Sequence, residues 1–89
     1  MKNKDYEVTF EQEVLSEVCE GILADLLKVL IKKNISTKDK KNPLCLLYLH
    51  LAKTKNDIIG SKYSTLESLK KVEGYFTHIK EYIDQLDNM

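Results

Sequence analysis

Eighty-nine residues at zero formal net charge fit one small domain, whose thin core gains from any partner surface. The charge balance argues against nucleic-acid and membrane-surface binding, which go with a basic excess. All fourteen basic residues are Lys, so the Arg fork that reads guanine and phosphate is missing.

Met1 to Asp5 reads as a polar, frayed start, with no secretory apolar region behind it. Thr9 and Gln12 have the spacing of a capping box, which predicts a first helix over 9–34. Val14, Leu15, Val18, Cys19, Ile22, Leu26, Val29 and Leu30 recur at three- and four-residue steps and make one broad apolar face. Leu23, Leu27 and Ile31 widen it, so the second half reads as a helix covered on several sides. Gly21 interrupts this helix, where glycine costs up to about 1 kcal/mol relative to Ala. It either admits a close neighbour or has no role.

Residues 32–42 form a basic, polar connection whose lysines suit the negative end of the first helix. Asn42 and Pro43 are an N-cap and a first helical residue, which predicts a second helix over 43–59. Its run from Leu44 to Ala52 is nearly all apolar and is expected at the centre of the bundle. It fades through Lys53, Thr54, Lys55, Asn56 and Asp57. Ser64 and Glu67 make a second capping box, opening a third helix over 64–86. There Leu69, Val72, Phe76, Ile79, Ile83 and Leu86 trace the seam of an antiparallel bundle. The fold class is all-α, a three-helix bundle with a long N-terminal helix.

Little in the chain suggests chemistry. His50 and His78 fall on different helices, and no Cys, His and acid cluster has metal-ligand spacing. His50 reads as structural, and Cys19 and Cys45 as buried, inert thiols of a reducing compartment. No glycine loop cradles phosphate, and nothing pairs a nucleophile with a base. No enzyme, cofactor, metal or nucleic-acid role is expected. No apolar run approaches the roughly 18 residues of a membrane span, so the expected location is cytoplasmic.

The front of the first helix is the exception. From Asp5 to Leu27 every charged residue is an acid: Asp5, Glu7, Glu11, Glu13, Glu17, Glu20 and Asp25. A solvated helix ordinarily mixes signs and gains pairs four residues apart, so this strip is either a plain solvated face or a surface for a basic partner. Tyr6 and Phe10, ahead of the apolar face, either pack back on the bundle end or anchor a partner.

Those residues carry a resemblance. Tyr6-Glu7, Thr9-Phe10-Glu11, Glu13 and Glu17 resemble the opening of the epsilon antitoxins of Gram-positive epsilon/zeta toxin–antitoxin modules. The likeness continues through Leu26-Leu27-Lys28-Val29-Leu30, Lys38-Asp39 and Leu51-Ala52-Lys53. It resumes at Tyr63-Ser64, Leu66-Glu67, Leu69, Val72 and Tyr75, covering nearly the whole chain. It implies a three-helix antitoxin without a DNA-binding domain. It further implies a partner, a zeta-type toxin that is a P-loop kinase of UDP-N-acetylglucosamine, in a heterotetramer of two antitoxins and two toxins. The antitoxin's N-terminal helix would then lie over the toxin's ATP/GTP site, with Tyr6, Glu7, Thr9, Phe10, Glu11, Glu13 and Glu17 as blocking residues. A polar connection over 53–63 and the abrupt start at Pro43 depart from the family's pattern, away from that site. The competing reading is a small cytosolic immunity or phage protein with a non-kinase partner.

Overall fold

The computed structural model describes the backbone of residues 2–60 and 62–87, and the side chains of 6–60 and 62–86. It contains α1 (Lys2–Lys32), α2 (Pro43–Ile59) and α3 (Leu66–Asp87). The three-helix, all-α architecture with a long first helix is as the sequence reads. α1 is 31 residues, roughly 46 Å at 1.5 Å per residue, and so runs nearly the whole 49 Å long axis of the molecule.

α1 starts at Lys2, not at Thr9, so the frayed start expected from Met1 to Asp5 is helical from Lys2 on; Met1 lies outside the described residues. Nothing between Lys2 and Val8 breaks a helix: there is no Pro or Gly, and Asp5 and Glu7 suit its positive end. The capping box expected at Thr9 does not form, because Thr9 sits in the third turn. Gln12 instead donates a 2.9 Å hydrogen bond from Nε2 to the Tyr63 carbonyl and ties α1 to the α2–α3 connection. The other end closes as a Schellman motif. Asn34 takes a left-handed φ of 58°, its N–H reaches the Ile31 carbonyl at 3.0 Å, and Ile35 N–H reaches the Leu30 carbonyl at 2.8 Å.

Asn42 caps α2 as expected, its Oδ1 accepting from Leu44 N–H at 2.9 Å with Pro43 at the first helical position. α2 ends at Ile59 as expected, but without fading after Ala52. Lys53 to Asp57 stay helical, Thr54 is buried, and its hydroxyl donates to the His50 carbonyl at 2.9 Å. The polar segment expected as a long connection is therefore largely helix. α3 is capped by Thr65 rather than Ser64. Thr65 Oγ1 accepts from Ser68 N–H at 3.1 Å, and Ser68 Oγ faces Thr65 N–H at 3.4 Å. A serine thus takes the place of the glutamate in the reciprocal box.

The chain runs up, down and up. Ile58 lies beside Gln12 and Ser16, and Lys55 beside Glu20, so α2 is antiparallel to α1. Leu69 lies beside Phe10 and Ile83 beside Val29, so α3 is parallel to α1. α2 and α3 each pack along α1, while their backbones stay apart. The central helix is therefore α1, which corrects the expectation that α2 holds the centre. The physical reason is that α1 is apolar over two adjacent sides, and α2 over one. Leu46 and Leu49 of α2 remain 49% and 43% exposed. The core joins Leu15, Cys19, Ile22, Leu26 and Val29 of α1 to Leu51 and Ile58 of α2 and to the α3 seam, Leu69, Val72, Phe76, Ile79 and Ile83. Val14, Val18 and Ile31, expected on the apolar face, are exposed, because they sit at or beyond the edge of the buried stripe.

Candidate functional site

The seven residues singled out at the front of α1 do not form a cluster. At 100° per residue, positions 6, 10, 13 and 17 share one ridge, and this ridge faces away from the core. Tyr6 is 73% and Phe10 53% exposed, which rules out the packing of these rings into the end of the bundle. Glu13 and Glu17 are also exposed. Tyr6 to Glu17 spans roughly 16 Å of helix. Among the described residues neither Glu13 nor Glu17 forms an ion pair, whereas Glu20 meets Lys55 Nζ at 3.6 Å. Glu20 therefore keeps the plain reading of a solvated, paired charge.

The remaining residues flank the ridge on two sides. Toward α3, Tyr6, Glu7, Phe10 and Glu11 line a cavity of about 260 Å³ with Leu66, Leu69, Lys70 and Glu73. Toward α2, Thr9, Glu13 and Glu17 line a shallower one of about 500 Å³ with Gln12, Ser16, Ile58 and Ile59. The front of α1 thus presents an acidic, aromatic ridge with a groove along each flank. The contribution of α3 was not read from the sequence. The signal was available in principle: an up-down-up order places the openings of α1 and α3 at the same end.

The other candidates are structural. Cys19 is fully buried, its Sγ–H donating to the Leu51 carbonyl at 3.3 Å; burial pushes the thiol up to about 11, and Lys55 offsets this only in part. Cys45 is also fully buried and donates to the Thr37 carbonyl at 2.7 Å. Both are free thiols, and Cys19, whose pKa burial raises, is protonated and poorly nucleophilic. His50 meets Tyr75 edge-on, the rings 5.8 Å apart. Gly21 has open space where a Cβ would sit, so no neighbour approaches closely there. Among the described residues no group of three or more His, Cys, Asp or Glu could hold a metal ion, and no helix is long and apolar enough to cross a membrane.

The family model of the bacterial epsilon antitoxin matches residues 4–86. No curated protein and no solved structure matches the sequence. The match spans nearly the whole chain, and the chain belongs to the bacterial epsilon antitoxin family. It is a toxin-neutralising antitoxin, and its partner is a toxin.

Proposed function

We propose that this epsilon antitoxin neutralises a zeta-type toxin, a P-loop kinase of UDP-N-acetylglucosamine, by laying the front of α1 over the kinase's ATP/GTP site. The observation that carries this reading is the exposed ridge of Tyr6, Phe10, Glu13 and Glu17. A P-loop offers a Lys, oriented backbone N–H groups and a helix N-terminus to phosphate. Carboxylates carried on a rigid helix meet the same donors without being a substrate. Glu11 and Glu13 take part of the phosphate region in this reading, and Tyr6 and Phe10 anchor in neighbouring apolar space. Glu7, Thr9 and Glu17 complete the contact. The complex acts in the cytoplasm as two antitoxins with two toxins, and the antitoxin itself does no chemistry.

The test is competition for labelled ATP on the purified toxin kinase. Phe10→Ala with Glu13→Ala removes one anchor and one carboxylate from exposed positions, so the fold is kept. The antitoxin concentration needed to exclude ATP is expected to rise at least tenfold, about 1.4 kcal/mol or more. An unchanged concentration would refute the blocking role.

A further inference from the structure

The cavity between the openings of α1 and α3 combines three kinds of lining. Its floor is leucine, with Leu69 buried and Leu66 half-buried, and Tyr6 and Phe10 stand beside it as exposed rings. Around it lie three carboxylates, Glu7, Glu11 and Glu73, against one ammonium, Lys70. We infer that this cavity is a socket for one arginine side chain of the toxin, so that the toxin-binding surface extends from α1 onto the first turns of α3. The inference rests on the reading that the front of α1 faces the toxin.

Charge complementarity selects the occupant. The lining carries a two-charge excess of acid, which an acidic side chain would oppose. A purely apolar side chain would strip water from carboxylates and give nothing back. A basic side chain lays its aliphatic stem on the leucines and keeps its head at the acidic rim. Arginine adds a planar guanidinium that stacks on an aromatic face and donates two N–H groups to a carboxylate in fork geometry, which a lysine ammonium does not. Lys70 is the one group in the lining that opposes this occupant.

Two measurements test the socket. On the toxin kinase, calorimetric titration compares Glu73→Gln and Lys70→Gln, both exposed positions on α3. Affinity is expected to fall roughly fivefold for the first and to rise about twofold for the second. The opposite signs, or changes within experimental error for both, would overturn the inference. Glu13→Ala with Glu17→Ala, on the ridge outside the socket, is the control for the underlying reading. If this pair leaves toxin affinity unchanged while Glu73→Gln weakens it, the ATP-site reading fails and the socket stands. On the free antitoxin, N-acetyl-arginine amide at about 20 mM is expected to shift the backbone amides of Leu66, Leu69 and Glu73. The neutral isostere N-acetyl-citrulline amide is expected to leave them in place. No shift from the arginine probe, or equal shifts from both probes, overturns the arginine assignment whatever the toxin does.

Discussion

Cys19 shows how one residue couples burial to pH. Its thiol is fully buried, and its pKa is raised from 9.0 to about 11 in the folded chain. A raised folded pKa means that the unfolded chain loses the proton first as pH rises. The stability is therefore complete below pH 9 and is lost progressively up to pH 11, on the order of 2 kcal/mol in all. Urea melts of the wild type and Cys19→Ser between pH 8 and 11 should diverge in slope, with the serine variant the flatter of the two. The burial of Cys19 was legible, since it falls on the three- and four-residue apolar spacing with Leu15, Ile22 and Leu26. The bond of Gln12 to the Tyr63 carbonyl was not. It joins residues 51 apart in sequence, and the same glutamine had an adequate local explanation in a capping box.

At the scale of the element, α1 holds a glycine that its own packing does not use. The space beyond Gly21 is open and its φ is an ordinary helical one. Gly21→Ala should raise the stability of the free antitoxin by about 0.5–1 kcal/mol, read as a higher midpoint in thermal unfolding. A destabilised variant would mean that the open space is not available. Helix ends with local chemistry were readable: Asn42 and Pro43 open α2 where the cap signal stands. The opening of α1 was not, because helix formers without a strong cap give no punctuation, and the strongest cap pattern nearby lies inside the helix. The α3 seam was legible throughout, since its buried positions keep one three- and four-residue spacing from Leu69 to Ile83. The edge of the α1 face was not, because Val14 and Val18 differ from Leu15 only in which side of the helix the partners approach.

At the scale of the molecule, zero net charge conceals a segregated one. The outward ridge of α1 carries Glu13 and Glu17, while Lys32, Lys33, Lys38, Lys40 and Lys41 gather where α1 ends and the connection turns. Under the proposed binding mode, such an arrangement orients the antitoxin toward a basic site on the toxin. Its association rate with the toxin should fall severalfold between about 50 and 500 mM salt, with a smaller change in dissociation, in stopped-flow measurements. A rate indifferent to salt would show that the segregated charge does not steer. The choice of centre was the global feature that sequence pattern left open. An apolar run such as Leu44 to Ala52 reports how much surface wants cover, not how many neighbours supply it.

The return helix α2 also works as a ruler. α1 and α3 run parallel and start at the same end because α2 carries the chain back along most of their length. One helical turn of α2 is about 5.4 Å. A chain with one turn more or less there would slide the opening of α3 against that of α1 by a similar distance. Leu66 and Glu73 would then pass Phe10 and Glu11 out of step. The length of a helix that touches neither flank of the cavity thus sets the register in which two distant stretches of sequence meet.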